Sequence, residues 1–216
     1  MREKEINLLV FDLDGTLIDS RLDIFKAINN LAKDLNKPPL AYERLASAIG
    51  DGSKMLIHKL LQIPNNTPEM EHAFKLFVEH YADDLIGQSR FFPHALETLA
   101  YYSDKKKAIL TNKPQQLTVA ILKALKIDSH FMAVVGADDR FGRKPETAGI
   151  LHIIRKAGTI PEKTIMIGDG DTDILVGKRA GTFTCALANG FRSRELLEML
   201  DPDFLLEDLS QLRNIL

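Results

Sequence analysis

Apolar and polar positions divide the chain into two kinds of segment. Short apolar, β-favouring runs fall at residues 6–11, 107–111, 132–136, 164–168, 182–187 and 203–206, each the length of a buried strand. Between the later runs, residues 93–102, 115–125, 146–157, 171–180 and 194–200 keep a helical period. Strands alternating with helices over short connections predict a Rossmann-like parallel sheet covered by helices on both faces.

Residues 20–88 follow a different rule, with no run that reads as a strand. Ile24, Ile28, Leu31 and Leu35 are helically spaced, as are Met55, Leu60 and Leu61, and then Phe74, Phe77, Val78, Tyr81 and Leu85. Lys37-Pro38-Pro39 and the stretch from Ile63-Pro64 to Thr67-Pro68 separate these patterns. An all-helical unit, 19–88, is therefore expected as an insertion into an α/β core made of 1–18 and 89–216. The joins fall near 18–21 and 87–90.

Composition narrows the function classes. The 216 residues are 45% hydrophobic, enough for one well-packed core with a smaller appended unit. With 28 basic against 30 acidic residues the net charge is −2, which offers no electrostatic case for nucleic acid or an anionic membrane. The single cysteine, Cys185, follows Thr182-Phe183-Thr184 in a strand-like run and suits a reducing, cytoplasmic setting as a buried thiol. Met1-Arg2-Glu3-Lys4-Glu5 is charged with no apolar region behind it, so no signal peptide is expected, and no apolar stretch approaches 18 residues.

Four polar constellations sit where strands should end, the place where open α/β sheets gather ligands. Asp12 and Asp14 follow the first run with one residue between them. Alternation points both the same way, and two carboxylates so close call for a cation, with Mg²⁺ the natural oxygen-liganded choice. An ordinary Asp-Gly turn would also account for the pair. Thr111-Asn112-Lys113-Pro114 offers a hydroxyl and backbone amides to a phosphate oxygen, or a helix cap. Arg143-Lys144-Pro145-Glu146 puts a proline in a helix first turn and Lys144 at its mouth, or is a solvated basic loop. Gly168-Asp169-Gly170-Asp171-Thr172-Asp173 carries three alternating aspartates, more than capping a helix requires. Lys105-Lys106-Lys107 reads as a solvated strand entry, Phe74, Phe77 and Tyr81 as core of the helical unit, and the histidines as surface residues.

The four motifs in this order, over nearly the whole chain, resemble the haloacid dehalogenase superfamily of phosphohydrolases. The helical insertion is similar to that superfamily's cap. Phe92-Pro93, Thr111-Asn112-Lys113-Pro114 and the Ile49-Gly50-Asp51-Gly52-Ser53 loop resemble its phosphoglycolate-phosphatase-like branch. Departures are His94 where that branch often has Gly, Thr147 where it has Pro, and Gly170 where it has Ser. The resemblance implies Asp12 as nucleophile, forming an aspartyl-phosphate, and Asp14 as general acid and base. Thr111, Asn112 and Lys144 would hold the phosphoryl group. Asp12, the backbone carbonyl of Asp14, and Asp169 would bind Mg²⁺, with Asp173 in support, and Gly50, Gly52, Ser53 and Lys54 would form the substrate-facing cap loop. A small phosphate ester, 2-phosphoglycolate first, is the expected substrate of a monomer or homodimer with no nucleic-acid or membrane partner. A β-phosphoglucomutase-like mutase and a pyrophosphatase or nucleotidase of the same superfamily are the alternatives, and a non-catalytic binding protein is disfavoured because each chemical position is filled.

Overall fold

In the computed structural model the described residues are 6–45, 48–137 and 140–216, so the charged N-terminal pentapeptide lies outside them. In chain order the elements are β1 (Leu8–Phe11), β2 (Ile18–Asp19), α1 (Arg21–Asp34), α2 (Ser53–Leu61), α3 (Pro68–Ala82), β3 (Arg90–Phe91), α4 (Ala95–Tyr101) and β4 (Lys106–Pro114). There follow α5 (Gln115–Ala124), β5 (Ala133–Ala137), α6 (Ala148–Ala157), β6 (Thr164–Gly168), α7 (Asp171–Ala180), β7 (Phe183–Leu187), α8 (Arg194–Met199) and β8 (Phe204–Leu206).

Six strands form one sheet in the order β5-β4-β1-β6-β7-β8, and every pairing in it is parallel. β1 is central, and all four of its residues are buried because helices cover both faces. Leu8 and Val10 face one layer with Ile150, Ile153 and Ile154 of α6 and Val176 of α7. Leu9 and Phe11 face the other with Leu99 of α4, Leu117 and Ile121 of α5, and Leu212. That second apolar layer continues without a break into Ile28, Ile57, Met70 and Phe77 of the helices between β2 and β3.

The chain leaves β1 and reaches β4 on one side and β6 on the other, so the strand order reverses beside β1. β1 and β6 end just before Asp12 and Asp169, which lie at one rim, and β4 carries Thr111 past its last pairing with β1. The long β4 is a correction to the sequence reading: it runs through the whole Thr-Asn-Lys-Pro motif, with a register irregularity against β5 between Leu110 and Pro114.

α1 and α2 both pack on α3. Thr67 caps α3 by accepting from the Met70 amide at 3.2 Å, with Pro68 in the first turn, where its missing N–H is no loss. The joins are more ordered than the sequence suggests. Ile18–Asp19 and Arg90–Phe91 pair as a two-stranded antiparallel ribbon, too short to leave a periodic signal. Asp23, buried in the first turn of α1, accepts from the amides of Gln88 at 2.9 Å and Ser89 at 2.8 Å and from the Ser89 hydroxyl at 2.5 Å. One carboxylate therefore holds the exit of the helical segment against its entry. Lys107 also departs from expectation: it is buried, and its ammonium donates to the carbonyls of Tyr102 and Lys105.

Candidate active site

The Asp12 amide donates to the Ile167 carbonyl at 2.9 Å and so extends the β1–β6 ladder by one residue, fixing the carboxylate at the sheet rim. Asp12 Oδ1 accepts from the Leu13 amide at 2.7 Å, and Oδ2 lies 3.0 Å from the Lys144 ammonium. Gly15, at φ +89°, turns the chain back toward β2, and its amide donates to the Ile18 carbonyl at 2.9 Å. A side chain at Gly15 would also overlap the Asp169 carboxylate.

Asp169 leaves the end of β6 and is almost fully buried. It accepts from the Thr16 hydroxyl at 3.0 Å and from the Phe191 amide at 2.8 Å. Asp173, in the first turn of α7, divides its oxygens between two partners. Oδ2 accepts from the Gly170 amide at 3.0 Å, closing the helix start, and Oδ1 meets Lys144 Nζ at 2.5 Å. Asp171, the middle aspartate of that run, points elsewhere and pairs with Arg192 at 3.3 Å.

Lys144 is not carried by the first turn of a helix as its proline suggests, because α6 begins only at Ala148 with Thr147 as cap. Asn112 holds it instead. The Asn112 side-chain oxygen accepts from the Lys144 amide at 2.7 Å, and its nitrogen donates to the Lys144 carbonyl and to the Gly50 carbonyl, each at 3.1 Å. The Asn112 side chain is thus a strut between three segments. Thr111 lines the same pocket as Asp12 and Asp14, and its hydroxyl accepts from the Lys113 amide at 3.3 Å.

Asp12, Asp169 and Asp173 each offer an oxygen within 4.8 Å of the others, all three residues buried. Burial pushes the Asp169 carboxyl up to about 7, with Asp12 adding to it against the bonds from Phe191 and Thr16. Burial likewise raises Asp173, with Asp12 and Asp169 opposing the pull of Lys144. Burial works against the charge of Lys144, but Asp12 and Asp173 outweigh it and hold its pKa above the ordinary lysine value. With all three carboxyls ionised against one ammonium the cluster would carry two negative charges in excess, and without a cation Asp169 and Asp173 relieve that excess by holding their protons to higher pH. A small divalent cation with oxygen ligands offsets that excess, so the residues present fit Mg²⁺.

Asp14 belongs to a second, charge-balanced group. The Ser20 hydroxyl donates to its Oδ1 at 2.5 Å, and Lys113 Nζ lies 3.2 and 3.0 Å from its two oxygens. That ammonium also donates to the Tyr81 hydroxyl at 2.7 Å. Burial lowers the Lys113 pKa against the pull of Asp14, and burial holds the Tyr81 phenol well above its ordinary value.

The pocket over these groups has about 40 Å³ of free volume. Ile24, Ile49, Leu56 and Phe77 give it an apolar roof, and Gly50, Gly52 and Ser53 close one side. Gly52 is the N-cap of α2 at φ +90°, in agreement with a helix starting at Ser53. Lys54 is not brought to this pocket. It pairs with Glu71 at 2.6 Å and lies over the Phe74 ring, in a wider neighbouring cleft of about 920 Å³. Lys113, Tyr81, Ser20, Thr16 and Arg192 are the participants that the sequence reading did not single out for the site. Lys113 and Thr16 stood inside or at the end of motifs that the sequence presents, Thr16 closing the run Asp12-Leu13-Asp14-Gly15-Thr16, whereas the other three carry no local signal.

The family model described as haloacid dehalogenase-like hydrolase matches residues 9–187. A phosphoglycolate phosphatase of Colwellia psychrerythraea is 31% identical over 220 residues, covering 98% of this chain and 96% of its own. A phosphoglycolate phosphatase of Agrobacterium fabrum is 31% identical over 210 residues, covering 95% and 90% respectively. The crystal structure described as a predicted phosphoglycolate phosphatase from Haemophilus somnus aligns with a TM-score of 0.89 at 27% identity, over 98% of each chain.

Proposed function

We propose that this chain, which belongs to the haloacid dehalogenase-like hydrolase family and is a phosphatase, hydrolyses a small phosphate monoester, 2-phosphoglycolate first, by covalent catalysis at Asp12 with Mg²⁺ as cofactor. The observation that carries this reading is the buried cluster of Asp12, Asp169, Asp173 and Lys144 beneath a pocket of about 40 Å³. That space holds roughly three waters, room for little more than the phosphoryl group itself, so the pocket does not admit a bulky leaving group without opening. The curated relatives named phosphoglycolate phosphatase support the same substrate.

In this reading an Asp12 carboxylate oxygen attacks phosphorus and the bond from phosphorus to the ester oxygen breaks, giving an aspartyl-phosphate. Asp14 gives its proton to the departing alkoxide and then takes one from the water that attacks phosphorus, which releases inorganic phosphate and restores Asp12. Thr111, the backbone amide of Asn112, and Lys144 orient the phosphoryl oxygens, and Lys144 neutralises part of their charge. Asp12, the Asp14 carbonyl and Asp169 would hold the cation, with Asp173 fixing Lys144. Bound there, Mg²⁺ supplies charge neutralisation for the carboxylates and the transferring phosphoryl oxygens.

We read residues 19–88 as a cap whose helices exclude water from the phosphoryl group. Arg192 joins it to the sheet rim by pairing with Asp51 at 3.3 Å and Asp171 at 3.3 Å. Among the described residues no helix is long and apolar enough to cross a membrane. The buried free Cys185 suits the reducing cytoplasm that we take as its location. The test is phosphate release with Mg²⁺ across phosphoglycolate, sugar phosphates, nucleotides and pyrophosphate. The expected result is highest kcat/KM on phosphoglycolate. A product that is an isomerised sugar phosphate would favour a mutase, and no turnover on any ester would overturn the reading.

A further inference from the structure

Resting on the phosphoglycolate reading above, we infer that Lys113, backed by the Tyr81 hydroxyl, binds the anionic group on the leaving alcohol and sets the preference for acidic esters. A carboxylate on the leaving group enters a site that already holds Asp12, Asp14, Asp169 and Asp173, and in a dry pocket it requires a cation of its own. Lys113 is itself paired with Asp14, but the other cations nearby do not line this pocket. Lys144 lies between Asp12 and Asp173, Arg192 between Asp51 and Asp171, and Lys54 pairs with Glu71 in the outer cleft. Among the described residues that line the pocket, Lys113 is the only lysine or arginine. The roof residues Ile24, Ile49, Leu56 and Phe77 offer nothing that meets a charge.

The position of Lys113 suits this role. Its ammonium lies 3.0 Å from Asp14 Oδ2, so the cation stands one hydrogen bond beyond the group that meets the leaving oxygen. In glycolate the carboxylate carbon is only two bonds from that oxygen. Of the three donors on an ammonium, Tyr81 takes one at 2.7 Å, Asp14 Oδ2 takes one, and Asp14 Oδ1 takes the last at the longest distance, 3.2 Å. Oδ1 also receives the Ser20 hydroxyl at 2.5 Å, so it stays satisfied when the third donor turns to a substrate. The Tyr81 ring faces the same ammonium, with Nζ 4.1 Å from its centroid. Tyr81 belongs to α3, so the inserted helices complete the anion receptor while the sheet supplies its charge.

The test is kcat/KM on phosphoglycolate and on ethyl phosphate, in which a methyl replaces the carboxylate, for wild type, Lys113→Met, Lys113→Arg, Tyr81→Phe and Lys54→Ala. Wild type should prefer phosphoglycolate. Lys113→Met should reduce that preference about 10- to 100-fold, the range of one charge-assisted hydrogen bond in a buried site. Lys113→Arg should restore part of it, Tyr81→Phe should raise KM for phosphoglycolate more than for ethyl phosphate, and Lys54→Ala should leave the ratio unchanged. Binding of 3-phosphonopropionate against propylphosphonate by calorimetry provides the same contrast with the conservative variants should Lys113→Met not fold. Equal losses on both esters would make Lys113 a support for Asp14 only. A wild-type preference that survives Lys113→Met would assign the carboxylate to the first amides of α2. Either result overturns this inference alone, whereas absence of any wild-type preference overturns the phosphoglycolate reading with it.

Discussion

Replacing Asp169 with asparagine should stabilise the metal-free protein at alkaline pH while removing its response to Mg²⁺. The carboxyl is at about 7 in the fold against an ordinary 3.8, raised first by burial and then by Asp12. A folded-state pKa above the unfolded one means that stability is fully present below 3.8 and is lost as pH rises through about 7. A gap of about three pH units corresponds to about 4 kcal/mol at pH 8. Asparagine is nearly isosteric, and its oxygen can still accept from the Phe191 amide. The Thr16 hydroxyl, now a donor to Asp169 at 3.0 Å, can rotate to accept from the new amide. Water entry and side-chain relaxation reduce the gain, and half of it would raise the melting temperature by about 4–8 °C in a chain of this size. Thermal melts of both proteins in EDTA from pH 4.5 to 8.5 should therefore diverge upward through neutrality, with the variant melting higher. Mg²⁺ at 100 times its Kd should add about 2.7 kcal/mol to wild type at pH 8 and far less to the variant. A gap that does not change with pH, or a variant less stable than wild type at pH 8 in EDTA, would refute the charge-repulsion account.

Asp12→Asn should abolish phosphate release with the fold retained, so turnover persisting beside a normal melt would exclude covalent attack by Asp12. Asp14→Asn should spare p-nitrophenyl phosphate relative to alkyl phosphates, since a general acid contributes roughly 10²–10⁴-fold and an activated leaving group has less need of one; equal losses would count against that role. Gly168→Ala should lower stability by roughly 2 kcal/mol or more and reduce activity, because its new methyl overlaps the Asp173 carboxyl group; a melt within 1 °C of wild type would contradict the close approach. EDTA should remove activity and Mg²⁺ restore it, whereas Ca²⁺, which takes more ligands, should engage both Asp12 oxygens and inhibit; full turnover in Ca²⁺ would count against this ligand set.

The chain's local patterns determined most of the α/β core. Buried parallel strands need continuous apolar residues, so Leu8–Phe11, Thr164–Gly168 and Phe183–Leu187 announce themselves. Asp12, Asp14, Asp169 and Asp173 were legible for a related reason. A carboxylate just past an apolar run is placed by strand geometry alone, and several at strand ends in an open sheet converge on one rim. What the sequence left open depends on side chains whose partners are far away in the chain. The two-residue ribbon β2–β3 has no period to detect, and the clamp by Asp23 joins positions more than 60 residues apart. Asn112 stands where its motif puts it but does different work, since only the packed structure shows its side chain bracing Lys144 and Gly50. The lysines make the same point. Lys54 sits at the helix start that local reading favours, yet Glu71 on a neighbouring helix takes its charge. Lys113, unremarkable by spacing, becomes the cation of the pocket because the packing of α3 brings Tyr81 onto it and the turn after β1 brings Asp14. Backbone periodicity is a local property that sequence carries directly, whereas the pairing of buried charges is decided only when tertiary packing selects which groups share the dry interior.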